Sequence, residues 1–286
     1  MTCHRLETSK YLTVVSTVFA LVAGGFVTQA DAALLNANSG GTFTMNLDRD
    51  ALALSNFGSL TQPGYFLAQY FDTIESDYTV RTDSSFYFNN PTRVEISAVN
   101  LVHDITPVSA SNPSGQLSGR NVQATTPDFS IDSDTLAGTG TMGMTGVEMF
   151  RGSFSGTLLN GDYSLKYDPE ARQTMWDAFG VSGTPGGWYL QNNVSFSAVA
   201  YELANLRLQY SSAGDWMLSG DLLLSPENAF FLKNTVLADL GDFCLGVGAY
   251  SGCGQVAAVP LPSAVWFFAS GIAGIGINGY RRFRRA

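Results

Sequence analysis

Gly138-Thr139-Gly140-Thr141-Met142-Gly143 is the stretch of this 286-residue chain whose spacing most resembles a cofactor motif, since it fits the GxGxxG pattern that wraps a dinucleotide pyrophosphate. That pattern needs a strand before it and a helix after it, so that helix N–H groups face the phosphate. The residues that follow, MTGVEMFRGSFSG, read as strand, and the glycines are therefore expected to be structural. Asp128, Asp132 and Asp134 just upstream could hold a divalent cation, but Leu136 stands where the calcium-loop register requires a ligand, so solvated loop acids are expected. His103 is the only histidine after residue 32, and GSFSG places Phe154 where a nucleophile elbow requires serine. Acids are numerous enough for two-carboxylate glycoside hydrolysis, yet nothing in the sequence selects a pair. No catalytic, cofactor-binding or metal-ligating residue is assigned. Trp188, Tyr189 and Trp216 could stack on sugar rings or fill a core. Asn193-Val194-Ser195 fits the glycosylation sequon.

Cys3 lies in the leader described below, which leaves Cys244 and Cys253 around Gly246, Gly248, Tyr250 and Gly252. In an oxidising compartment this even pair reads as a disulfide. Residues 33–262 hold 9 of the 15 Lys and Arg and 22 of the 24 Asp and Glu, a net charge of −13. Such a body offers no basic stripe to nucleic acid and is repelled by anionic headgroups, so neither is an expected ligand.

The elements that would carry these residues are mostly strands. Thr42–Leu47 and Tyr65–Phe71 read as strands around the Gln62-Pro63-Gly64 turn, and Val94, Ile96 and Ala98 alternate with polar neighbours. Thr106–Pro127 shifts to Ser, Pro, Asn and Gly, a long loop or soft boundary at 106–127. Gly152–Leu159 and Asp162–Tyr167 alternate on either side of Asn160-Gly161, which predicts a β-hairpin. Asp168-Pro169-Glu170 predicts a helix to Phe179 that packs Trp176 and Phe179 on a sheet, with Gly180 as its stop. Further strands are expected at Asn193–Tyr201, Leu203–Tyr210 and Trp216–Leu224, then a helical turn from Pro226 through Phe230 and Phe231, then a closing strand at Asp242–Val247. The expected fold is mainly β, a sandwich or barrel-like domain with one or two short helices; a solenoid finds no fixed period in its support.

Both ends carry targeting features. His4, Arg5 and Lys10, the apolar run Tyr11–Val27 and the site Ala30-Asp31-Ala32 read as a signal peptide over 1–32, cleaved before Ala33; an uncleaved anchor is the alternative. At the other end Val259-Pro260-Leu261-Pro262 precedes an apolar run over 264–280, and Arg281, Arg282, Arg284 and Arg285 follow it. A helix over 264–280 would be roughly 25 Å long, close to a ~30 Å hydrocarbon core, with Trp266 and Tyr280 at its ends. A single C-terminal transmembrane helix is therefore expected, its arginines cytoplasmic, with residues 33–255 exported. The small pairs Ala269/Ala273 and Ser270/Gly274 would let another helix approach, or serve a plain anchor.

This tail, about residues 256–286, together with the signal peptide, resembles the PEP-CTERM sorting domain of exosortase substrates, with Leu261 standing where Pro-Glu-Pro has glutamate. The resemblance implies a Gram-negative source, processing near Val259–Pro262 by a membrane-embedded exosortase-type enzyme, transient anchoring to the membrane through the C-terminal helix, and release to the cell surface. Many such proteins accompany extracellular polysaccharide and biofilm or floc formation. The expected function is a non-enzymatic structural or adhesive surface protein; a secreted carbohydrate-binding or glycan-active protein is the alternative.

Overall fold

Strand formers broken by Gly- and Asp-containing turns dominate residues 34 to 247, and their strands pair antiparallel. The structure, a computed structural model, describes residues 32–71, 95–108, 120–152, 157–194 and 196–253. From Leu34 onward these belong to one unit. The strands are β1 (Leu34–Leu35), β2 (Gly41–Leu47), β3 (Phe66–Phe71), β4 (Leu101–Asp104), β5 (Ser130–Asp132), β6 (Gly138–Thr139), β7 (Thr141–Gly143), β8 (Val147–Arg151), β9 (Thr157–Gly161), β10 (Ser164–Tyr167), β11 (Trp188–Asn192), β12 (Ala198–Ser212), β13 (Asp215–Leu224) and β14 (Asp239–Val247). Among the described residues they make an eight-stranded sheet, β4-β2-β14-β13-β12-β11-β10-β7, and two three-stranded sheets, β1-β5-β6 and β3-β8-β9.

One row of opposed residues shows how the large sheet is held. His103, Phe43, Leu245, Leu218 and Leu208 face one another in turn across β4, β2, β14, β13 and β12. All but Leu208 are buried, and each buried aliphatic or aromatic side chain contributes about 1.5–3 kcal/mol. Leu208, on the outer half of β12, is only half-buried. The inward set thus runs out at that strand.

Among the described residues three α-helices join the strands: α1 (Arg49–Leu54), α2 (Pro169–Ala178) and α3 (Pro226–Leu232). Each starts at a side-chain cap. Asp48 accepts from the N–H groups of Asp50 and Ala51, Asp168 from Ala171, and Ser225 from Asn228. Cys244 in β14 and Cys253 beyond it form a disulfide, with Cα atoms 5.8 Å apart.

The expected fold class needs correction. The described residues are mainly β, built on a curled sheet, but no helix among them is long and apolar enough to cross a membrane. The longest, α2, has ten residues, about 15 Å of helix against a ~30 Å core, and carries Arg172 on its buried side. The expected helix at 264–280 lies outside the described residues, as do most of the signal peptide, Val94 and the segment 109–119. Elsewhere in 106–127, the Thr106 hydroxyl donates to the Gln123 carbonyl and the Thr125 hydroxyl to the Thr106 carbonyl, both at 2.7 Å.

The Asn160-Gly161 hairpin is also corrected. β9 pairs with β8, with Leu159 opposite Met149, whereas β10 pairs with β7 and β11 in the large sheet. Asn160-Gly161-Asp162 is therefore a crossing between sheets. Gly161 takes φ +146° and Asp162 φ +41°, and neither folds the chain back on itself. A Cβ on Gly161 would lie 2.2 Å from the Gly146 carbonyl oxygen, so glycine is required where the two crossings touch. Side chains hold the crossing open: the Gly161 N–H donates to Asn192 Oδ1 at 2.9 Å, and Asn193 Nδ2 donates to the Asp162 carbonyl at 2.8 Å.

Other boundaries shift. The strands expected at Asn193–Tyr201 and Leu203–Tyr210 merge as β12, which absorbs irregularities after Ala204 and Tyr210 as register shifts. The strand expected to close the sheet, β14, lies inside it between β2 and β13. Trp176 is buried as expected, but Phe179, Phe230 and Phe231 are 45 %, 75 % and 46 % exposed.

Arg120 binds both oxygens of Asp162 with both side chains fully buried, and Asp162 also accepts from the Gly146 N–H at 3.3 Å. Removing one partner of a buried pair strands the other charge. Arg120→Ala should therefore lower the free energy of unfolding by about 3–5 kcal/mol, measured by denaturant titration, and Arg120→Lys should recover little because the two-pronged contact is lost.

Candidate functional site

The glycine motif is strand–turn–strand, β6 then β7, and no helix follows it. Its glycines answer to packing. A Cβ on Gly138 would fall 2.3 Å from the Trp188 ring, and one on Gly143 1.8 Å from the Gln123 carbonyl oxygen. Trp188 Nε1 donates to the Leu136 carbonyl at 2.6 Å and Trp216 Nε1 to the Asn36 carbonyl at 2.7 Å, so both indoles are anchored core groups. Tyr189 is half-buried beneath the Arg172 guanidinium, 5.3 Å from the ring centroid.

Asp132 closes the β5–β6 turn. It accepts from Asp134 N–H, Thr135 N–H and the Thr135 hydroxyl at 3.0, 2.8 and 2.9 Å. All three bonds go to Oδ1, which is thus spent on the turn, and no group of three or more potential metal-ligating residues occurs among the described residues. Asp128 contributes its carbonyl, which accepts from the Thr139 hydroxyl at 2.8 Å. Phe154 and Ser195 lie outside the described residues, as do Ala30, the motif Val259, Pro260, Leu261 and Pro262, and Arg281, Arg282, Arg284 and Arg285; Ala32 is an exposed coil residue.

What the sequence did not reveal is the company His103 keeps. Its Nδ1 lies 2.9 Å from the Thr145 carbonyl, which can only accept, so Nδ1 carries hydrogen. Its Nε2 lies 2.9 Å from Glu148 Oε1, and Glu148 Oε2 accepts from the Tyr163 hydroxyl at 2.7 Å. Burial, reinforced by the Glu148 charge, pushes the Tyr163 hydroxyl well above its usual range and keeps it a donor. A histidine with an orienting carboxylate resembles the acid–base half of a hydrolase site, but His103, Glu148 and Tyr163 are all fully buried. They tie β4 to β8, that is, the large sheet to a small one.

A second network has the same logic. Arg172 of α2 binds Glu202 of β12 and, at 2.7 and 2.9 Å, Glu227 of α3; Trp176 Nε1 donates to Glu202 at 3.1 Å. Burial opposes the charge on Arg172, but hydrogen bonds to Glu227 and Glu202 overcome it and raise its pKa above the usual value. Burial pushes the Glu202 carboxyl up, opposed by the same arginine. Sequence patterning could not pair these residues, since Glu202 and Glu227 lie 30 and 55 positions from Arg172.

Glu202 also lines a cleft of about 410 Å³ with Tyr167, Trp176, Trp188, Leu136 and Leu206. A shallower groove of about 620 Å³ runs past Asn205, Arg207, Asp221 and Asp242. Tyr167 is the half-buried aromatic wall of the first, whereas Trp176 and Trp188 are buried and offer it little more than ring edges.

Thr135 and Asp134 donors hold the Asp132 carboxyl below the usual carboxylate range, and the Ser212 hydroxyl and Ala249 N–H do the same for Asp215. A folded-state pKa below the unfolded one gives stability that is present above about pH 3.9 and is lost as pH falls through the folded value. The melting-temperature gap between wild type and Asp132→Asn should therefore be widest near about pH 6 and narrow toward about pH 3. A gap constant with pH would assign the effect to turn geometry alone.

Comparison with protein-family models, with curated proteins and with solved structures gives no match.

Proposed function

We propose that the chain is an exported surface or extracellular-matrix protein of a Gram-negative bacterium with a structural or adhesive role, processed by an exosortase-type system near Val259–Pro262. The observation that carries this reading is the Cys244–Cys253 disulfide. It ties the buried end of β14 to the turn at Ala249–Gly252, most of which is exposed, and such bonds persist outside the reducing cytoplasm. The buried polar pairs support the structural part, because Arg172 and His103 each tie two or more elements together through a carboxylate and Arg120 ties its loop to the crossing at Asp162. An acidic body and extracellular polysaccharide as its surroundings are compatible with this role.

Intact-mass analysis of the chain, tagged after Ala33 and expressed in a host with an exosortase, tests it. The expected species lacks residues 1–32 and the tail and is lighter by its two thiol hydrogens. Pro260→Ala with Pro262→Ala should retain the tail. A full-length product with both thiols free would sink the proposal.

A second reading, carbohydrate binding, is favoured by the half-buried Tyr167 wall of the 410 Å³ cleft. It predicts retention on a glycan array that Tyr167→Ala abolishes while leaving the melting temperature within a few degrees. Silence on the array leaves the structural role in possession; sugar release in a parallel hydrolysis screen would make the protein an enzyme.

A further inference from the structure

β12 is much longer than its neighbour β11, and the difference leaves an open edge. β11 pairs only with Ala198–Glu202, whereas β13 follows β12 to Ser212. From Arg207 to Ser212 the side of β12 away from β13 has no ladder partner among the described residues. A strand directs alternate backbone groups to each side, so this edge presents donors and acceptors to solvent. Only Arg207 on it is charged, a light guard for an edge of this length.

The side chains alternate cleanly. Leu208 and Tyr210 stand opposite the buried Leu218 and Trp216, on the inward face, yet Leu208 is only half-buried and Tyr210 is 41 % exposed. Arg207 and Gln209 stand opposite Ser219 and Met217, on the outward face, and both are exposed. The inward apolar row that begins at His103 therefore stops at an unfinished boundary.

We infer that this edge binds a second copy of the chain, β12 to β12, antiparallel about a two-fold axis at Leu208. In that register Leu208 meets its own counterpart, Leu206 meets Tyr210, and Arg207 meets Gln209. Apolar residues continue the inward face and polar ones the outward face. Moving the axis to Arg207 would oppose like charges, and moving it by half a residue pair would put apolar residues opposite polar ones. With the axis at Leu208 the sequence of the edge is self-complementary, the requirement of an isologous interface; an axis at Gln209 would also match the faces, but it sets Gln209 against itself, so that Gln209→Glu and Gln209→Arg would both weaken the dimer. Two-fold pairing also consumes both edges and closes at the dimer. This inference does not rest on the export proposal, since it uses the strand edge alone.

The body's net charge of −13 opposes association, so the dimer should tighten as salt is raised. The test is light scattering after size exclusion of the full chain in a non-ionic detergent, comparing variants that share the same terminal apolar runs. Gln209→Glu places a carboxylate opposite each Arg207 and should lower the dimer dissociation constant about two- to thirty-fold; Gln209→Arg should raise it by a similar factor. Both changes lie on an exposed outward position, so folding is not at stake. Hydrogen exchange should show the edge amides within Arg207–Ser212 gaining protection as protein concentration rises. A monomer at all concentrations, association indifferent to both substitutions, or edge amides protected independently of concentration would each overturn the proposal, the last because a segment of the same chain would then occupy the edge.

Discussion

Two crossings between sheets, at Gly146 and at Gly161-Asp162, set the shape of this protein, and one carboxylate holds them together. Asp162 receives Arg120 on both oxygens and the Gly146 N–H on one, so the chain leaving the large sheet and the chain returning to it are fastened to the same group. A backbone that changes sheets loses its ladder partners at the step, and unpaired buried amides are costly. Asn192 and Asn193 supply the missing partners, which explains why polar side chains sit 1 % and 4 % exposed in an otherwise apolar interior. His103 and Glu148 lie beside this knot: a Cβ on Gly146 would touch the His103 ring at 2.4 Å.

The same economy recurs at the helices. α2 and α3 bury few side chains each, Arg172 and Trp176 in the first and Pro226, Asn228, Ala229 and Leu232 in the second. Helices of ten and seven residues are marginal by themselves. One arginine reaching a strand and a second helix compensates for the thin apolar contact. The corresponding cost is that the charges must stay paired, because a buried ion pair stabilises little beyond what its own desolvation consumes. These networks specify how the pieces fit more than they add to stability.

How far the sequence could be read follows from the range of each interaction. Caps are local, and Asp168-Pro169 and Ser225-Pro226 placed the starts of two helices correctly; the six residues of α1 are too few for periodicity to show. The β12–β13 turn and the Cys244–Cys253 pair were legible for the same reason. Asn160-Gly161 misled because a hairpin signal and a sheet crossing both ask for positive φ near a glycine, and only the distant partners Arg120 and Asn193 separate them. The partner of His103 was not legible, since Glu148 is 45 positions away and no local pattern joins them. Of Trp188, Tyr189 and Trp216, named as sugar-stacking or core, only Trp188 lines the cleft, and it is also a core group.

The position of β14 has a consequence in time rather than in space. β14, an interior strand of the large sheet, is also the last of the described strands to be made, pairing with β2 some two hundred residues upstream through contacts such as Phe43 with Leu245. Until residue 247 is available, β2 and β13 have no common neighbour, and the inward row cannot assemble. Such long-range closure makes for slow folding. A sheet built this way stays open while the chain is made from its N-terminal end, and locks only when β14 arrives.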